Sequence, residues 1–437
     1  MSSRLIIYED AGWQQLLPLV YVRAAFQLVC GSSDLLSRIV RLAASGPTTD
    51  SQVSTAAAEV WCRPLLADVV AQQTGLSANA SQQGPALFLN GRGLWNSVPD
   101  SKPEEAAWVG TAGPQHRVAC IVADKALAAR LTPEILLDEL QTRAVLAGVP
   151  RRDVSAHVTL LDWPWNFVDA NEETLIADWN DELAGVAGTV AEGSYLVNPS
   201  AVHIGWGTRV KPCVVIDGED GPVWIGDNVT ILPHSYIQGP AYIGDGCLIQ
   251  PGAVVHAGTT IGPRSKVGGE IEASIVQGFS NKQHDGFLGH SYVGSWVNLA
   301  ADCINSDLKN TYGTVRVPIN GREIDTGKMF VGMFVGDYSK AGINVSFPTG
   351  AVIGFCSSVF ASRCPKFVPS FAWLDGDSVQ RYDEQRGLAI ARKVMARRQC
   401  VMSEAEEQLF LAVRRQALAV EKQTMLNTHE APLRPAS

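Results

Sequence analysis

At 437 residues the chain is too long for one ordinary core, so two or three domains are expected. Hydrophobic residues make up 46% and charged residues 18%, the balance of a globular protein and not of a disordered one. A formal net charge of −9 argues against a nucleic-acid partner, because a phosphate-binding surface needs a basic excess.

No stretch of roughly 18 apolar residues is free of charge, so no membrane-spanning helix is expected. The start, "MSSRLIIYED", has no charged segment followed by an apolar run and a small-residue cleavage site. The nine cysteines are scattered and contain no CxxC, which fits reduced thiols better than a disulfide frame or a zinc site. A cytoplasmic location is the expectation.

In chain order, "RLIIYED" (Arg4 to Asp10), "PALFLNG" (Pro85 to Gly91) and "RVACIVAD" (Arg117 to Asp124) read as buried parallel strands. "SDLLSRIVRLAA" and "PLLADVVAQQTG" carry helical spacing between them. "TPEILLDELQTRAVLAG" predicts one longer helix, capped by Thr132, opened by Pro133 and ended by Gly148. Residues 1–190 are therefore expected to form an α/β domain with a mostly parallel sheet.

Residues 191–375 change period. Ile225, Ile231, Ile237, Ile243, Ile249, Val255, Ile261 and Val267 recur every six residues, often before glycine. Ile204, Val210 and Ile216 share the period before them, while Phe287, Val293 and Leu299, then Val335, Ala341, Phe347, Ile353 and Val359, resume it. A period of six marks a parallel β-helix, in which each flat face turns one aliphatic residue inward and glycine or asparagine forms the corners. Two breaks interrupt it, between Val267 and Phe287 and from Asp302 to Lys328; long departures from a rigid solenoid usually carry function or an oligomer contact. Residues 376–437 turn helical, with Ser403 and Glu406 as a capping box and "HEAPLRPAS" as a loose tail.

The first break holds "SNKQHDGFLGHSYVGSWVNL" (Ser280 to Leu299). His284 exchanges a proton near neutral pH, Lys282 lies two positions before it, and Asn298 follows Val293. If the substrate is an amino sugar phosphate, its ammonium must lose a proton before the nitrogen attacks a thioester. A histidine can take that proton, backbone N–H groups can hold the oxyanion, and lysine or arginine can hold the phosphate. The alternative is that His284 and His290 are corner residues satisfied by backbone carbonyls. No histidines sit at metal-ligand spacing with a carboxylate.

The stretch "EIEASIVQGFSNKQHDGFLGHSYVGSWVNLAA" resembles the acetyltransferase segment of the bifunctional N-acetylglucosamine-1-phosphate uridyltransferase/glucosamine-1-phosphate acetyltransferase family. It is most similar to a divergent bacterial sugar-nucleotidyltransferase branch, which "LLPLVYVRAAFQL", "LFLNGR", "WPWNFVDANEETLIADW" and "ARKVMARR" also resemble. The resemblance implies an α/β nucleotidyltransferase-like domain, a left-handed β-helix of hexapeptide repeats and C-terminal helices.

It also implies His284 as general base, with Asn298 on the sugar phosphate. Phe287 replaces a tyrosine, and Glu272 and Gln250 stand about where a lysine and an arginine are expected, leaving Lys282, Lys309 or Arg316 to supply positive charge. Acetyl-coenzyme A is the implied donor, lying between subunits of a homotrimer, with Lys340, or the group Arg392, Lys393, Arg397 and Arg398, facing its phosphates. That group equally reads as a solvated helix face.

For the N-terminal domain, Arg23, Asn90 and Arg92 are the implied nucleotide-binding residues, although Ala24 replaces a proline of the branch and no Gly-rich phosphate loop is present. Nucleotidyl transfer there would need Mg²⁺ held by an aspartate; Asp124, Asp162 and Asp169 each end or follow a candidate element, and none is favoured. The expected function is acetyl transfer to an amino sugar 1-phosphate, coupled to sugar-nucleotide synthesis from a nucleoside triphosphate. Two alternatives stand beside it: a nucleotidyltransferase with a structural β-helix, and a non-catalytic sugar-nucleotide scaffold.

Overall fold

The computed structural model describes residues 4–44, 58–80, 84–103, 106–427 and 434–435. These divide into two compact units. One comprises residues 1–16, 22–28 and 33–163; the other comprises 17–21, 29–32 and 164–437. The division thus falls earlier than the sequence pattern places it, because helix Pro164–Asp178 belongs with the β-helix. Asn171 in that helix donates to the Gly258 carbonyl (2.8 Å) and to Thr260 Oγ1 (3.0 Å), which ties it to one corner and the strand that follows.

In the first unit, β1 (Arg4–Tyr8), β2 (Ala58–Trp61), β3 (Ser77–Ala78), β4 (Ala86–Asn90), β5 (Trp108–Ala112), β6 (Arg117–Ala123) and β7 (Arg151–Asp153) form one sheet. Its order is β7-β5-β6-β4-β1-β2-β3. β1 lies parallel to both β2 and β4, as expected of continuous apolar runs. β6 is antiparallel to β4 and to β5, which corrects the expectation for "RVACIVAD". The cause is local: Gly113 and His116, both at positive φ, close a turn between β5 and β6 far too short for a parallel crossover.

The stretch after Thr132 is also corrected. Thr132 caps Pro133–Leu136, but Asp138 then accepts from the N–H groups of Leu140 and Gln141 and starts a second helix, Glu139–Val145. An aspartate that caps from inside the apolar pattern breaks it in two.

The second unit is a parallel β-helix whose short strands stack into sheets of ten, twelve and six strands. Register runs coil to coil, with Ile225 on Ile243, Ile243 on Ile261, and Ile261 on Val276. All eight aliphatic residues from Ile225 to Val267 are buried in one continuous core. The break after Val267 is not an excursion: the coils continue with shortened corners, and Ile271, Val276 and Leu288 fill the interior. Phe287 is consequently out of phase, half-buried, while Leu288 points inward.

The second break does leave the solenoid. Its strands β8 (Arg316–Ile319) and β9 (Arg322–Asp325) pair as a hairpin across Asn320 and Gly321, both at positive φ. Helices Glu384–Ala396 and Glu404–Asn427 close the unit, the second with the expected Ser403–Glu406 box. Apart from 434–435, the tail expected to be loose lies outside the described residues.

Candidate functional site

The corner between strands Phe287–Gly289 and Tyr292–Val293 carries His290 at φ 46°. Its Nδ1 lies 2.9 Å from Asp307 Oδ2, and Phe330 stacks on the ring at 5.2 Å between centroids. Asp307 is seventeen residues further on, at the same corner one coil later. Buried Asn305 grips the Gly289 peptide at both ends, accepting from its N–H (2.9 Å) and donating to its carbonyl (3.0 Å). A Cβ at Gly289 would sit 2.3 Å from Asp307 Oδ2, so only glycine lets the carboxylate reach the ring.

The ionised Asp307 only accepts hydrogen bonds. Nδ1 therefore carries the proton, and Nε2 is left as the basic nitrogen. Asp169, on helix Pro164–Asp178, adds a second carboxylate within electrostatic reach. Burial raises its pKa, opposed by Lys328 (3.4 Å) and by His290.

His284 sits elsewhere, on the preceding corner. It is exposed, and its Nε2 lies 3.3 Å from Gln283 Nε2. Lys282 is turned away from solvent. It occupies an inward position between Val267 and Leu299, is 4% exposed, and donates to the carbonyls of Gly268 (2.8 Å), His284 (3.0 Å) and Gly286 (3.0 Å). Its expected contact with a sugar phosphate is thereby corrected, because the ammonium is consumed within the core. Burial draws its pKa down to about 8.

Asn298 accepts from Asn281 (2.7 Å) and is the register partner of Lys340, so the two share one outer row. Lys340 Nζ bonds the Tyr338 carbonyl (2.8 Å). On the excursion, Lys309 bonds the Thr314 carbonyl and exposed Arg316 pairs in register with Asp325. Arg392 is held by both oxygens of Glu407 (2.6 Å each), the helix-face reading of that basic group.

In the first unit a cavity of about 270 Å³ is lined by Asp10, Arg92, His116, Arg117, Arg143 and Arg151, among others. Arg92, 2% exposed, donates to both oxygens of Asp10 (2.7 and 2.8 Å) and pairs with Asp162, which Arg117 also meets at 3.1 Å. Burial opposes its charge, yet Asp10 and Asp162 raise its pKa. Burial would likewise raise the pKa of Asp10, but Arg92, Asn90 and the Gly12 N–H hold it below the usual carboxylate value.

Asn90, wholly buried, bridges Asp10 (2.9 Å) and the Val118 carbonyl (3.1 Å). Arg92 thus lines the cavity as part of an ion-pair lattice, and Asn90 braces that lattice through Asp10. Arg23 is buried apart from them, its carbonyl accepting from Arg63 (2.7 Å).

These carboxylates do not fit Mg²⁺. Asp10 and Asp162 are already neutralised by guanidinium groups, so a dication there would meet two fixed positive charges. Asp124 caps helix Lys125–Ala128 through the Leu127 N–H, and Asp169 belongs to the second unit. Among the described residues, no three His, Cys, Asp or Glu side chains gather as a metal site.

The histidine with a carboxylate one coil away was legible as spacing, since His290 and Asp307 differ by nearly three hexapeptides. That the excursion folds back over the same corner was not.

Residues 5–182 match the profile of sugar nucleotidyl transferases, and residues 222–270 match bacterial transferase hexapeptide repeats. A bifunctional sugar-1-phosphate nucleotidylyltransferase/acetyltransferase of Sulfurisphaera tokodaii is 30% identical over 45% of this chain and 43% of its own. The bifunctional protein GlmU of Acidithiobacillus ferrooxidans is 33% identical over 36% of this chain and 32% of its own. The chain thus spans less than half the length of these relatives. The solved structure of LpxA from Acinetobacter baumannii is 13% identical, with a TM-score of 0.28, over 56% of this chain and 95% of its own. The chain therefore joins a segment similar to sugar nucleotidyl transferases to one similar to bacterial transferase hexapeptide repeats, and resembles a bifunctional nucleotidylyltransferase/acetyltransferase over nearly half its length.

Proposed function

We propose that the β-helix transfers an acetyl group from acetyl-coenzyme A to the amine of an amino sugar 1-phosphate, with His290 as general base in place of His284. The observation that carries this is the His290–Asp307 contact of 2.9 Å, against the absence of any carboxylate hydrogen-bonded to His284 among the described residues. The acceptor reacts as the free amine, its ammonium having released one proton to solvent. As the nitrogen attacks the thioester carbon, Nε2 of His290 takes the second proton, and Asp307 stabilises the imidazolium. Collapse of the tetrahedral adduct expels the thiolate, which receives that proton and leaves as coenzyme A thiol. Asp307 and Phe330 hold the ring throughout, and Asn305 fixes the Gly289 backbone next to it.

The row Asn281, Asn298 and Lys340 offers polar contacts for a phosphorylated ligand along the solenoid. The cavity of the first unit, with Arg117, Arg143 and Arg151 on its lining, suits the phosphates of a sugar nucleotide or nucleoside triphosphate. A second copy of the chain, as in a homotrimer, is supported by the exposed apolar residues Tyr312, Phe330, Ile343 and Phe360. No helix among the described residues is long and apolar enough to cross a membrane, and nine scattered cysteines with no CxxC accord with a cytoplasmic location.

Thiol release from acetyl-coenzyme A with glucosamine 1-phosphate tests the reading. His290→Ala is expected to lower kcat about a hundredfold or more and Asp307→Asn about tenfold, while His284→Ala retains most activity. Loss in His284→Ala with His290→Ala active would reverse the assignment.

A further inference from the structure

Asp169 has no part in the proton transfer, yet helix Pro164–Asp178 brings it to the edge of the His290 site. Its side chain is 29% exposed, so one part of the carboxylate faces solvent while the rest is desolvated. Its ion-pair partner is Lys328, from the last residues of the excursion, at 3.4 Å. A surface pair of that length contributes little to stability. It does show that a primary ammonium sits on a carboxylate that the His290 charge also reaches.

We infer that Asp169 is the receptor for the acceptor's ammonium group and that the Lys328 ammonium marks the place this group takes. This rests on the proposed acyl transfer at His290. An ammonium-bearing acceptor displaces Lys328 from Asp169, releases one proton to solvent, and presents the resulting amine near Nε2, leaving the half-exposed Lys328 side chain to meet the acceptor's phosphate. The product amide carries no charge, so it loses the ion pair with Asp169 and departs. The site thereby selects amines over hydroxyls and discriminates substrate from product with one carboxylate.

Calorimetric titration with glucosamine 1-phosphate and with N-acetylglucosamine 1-phosphate tests this directly. The wild type should bind the amine about tenfold or more tightly than the amide, the scale of one hydrogen bond to a charged group. Asp169→Asn should abolish that preference with an unchanged melting temperature, and Lys328→Met should tighten amine binding severalfold. Persistence of the preference in Asp169→Asn, or its absence from the wild type, would overturn the assignment. His290→Ala should retain the preference while losing thiol release. Amine preference in a wild type without thiol release would therefore sink the acyl-transfer reading alone.

Discussion

Lys282 stands in a column whose neighbours, Val267 and Leu299, are aliphatic. A charge in such a core is costly unless its hydrogen bonds are met, and here three carbonyls meet them. Its folded pKa of about 8 lies below the ordinary lysine value. The folded state therefore binds fewer protons than the unfolded chain between pH 8 and about 10.5, and stability rises with pH across that window. Below pH 8 the full cost of the buried charge is present. Relative to Lys282→Met, the wild type should gain up to roughly 3 kcal/mol between pH 7 and 10.5, measured by denaturant unfolding at both pH values. A flat difference would mean that the ammonium is not desolvated. Lysine at a ladder position reads from sequence as a surface ligand; only the register shows that it faces inward.

The element scale is where the six-residue period decides most. Each inward aliphatic residue is stacked between register partners above and below, so damage at one coil spreads to its neighbours. Ile243→Asp places an unpaired carboxylate between Ile225 and Ile261. Several kcal/mol of destabilisation are expected, visible as a melting transition lowered by tens of degrees or as insoluble protein. An unchanged transition would disprove the assigned phase. Period counting failed where corners shorten, at Ile271 and Val276, because a coil can lose a corner residue without losing its inward side chain. It failed again at Asp138, where a capping side chain outweighs apolar spacing.

At the scale of the whole molecule, the two compact units do not follow a single cut in the sequence. Residues 17–21 and 29–32 belong to the unit that contains the β-helix and C-terminal helices. Tyr21 donates to Glu421 Oε1 at 3.0 Å, and the same buried carboxylate accepts from the Ser370 N–H at 3.0 Å. Burial raises the Glu421 pKa, and each donor offsets part of that cost. Tyr21→Phe should destabilise this unit by about 1–3 kcal/mol, read as a shift in its unfolding midpoint. No shift would show that the N-terminal segment is not part of this unit's cooperative core.

The sequence by itself determined the α/β start, the β-helix and its inward ladder, and the C-terminal helices, because each rests on a periodicity that local geometry imposes. It also marked "SNKQHDGFLGHSYVG" as the place where regularity yields to chemistry. It did not choose between His284 and His290, since both lie in that stretch and both are histidines at corners. The tertiary structure separates their surroundings by returning the excursion to one corner, where Asp307 and Phe330 meet the His290 ring while His284 is exposed. In the same way it makes Arg92 the centre of an ion-pair lattice with Asp10 and Asp162. Partners that lie a coil or a whole sheet apart in sequence are fixed by register and packing, and no local pattern encodes them.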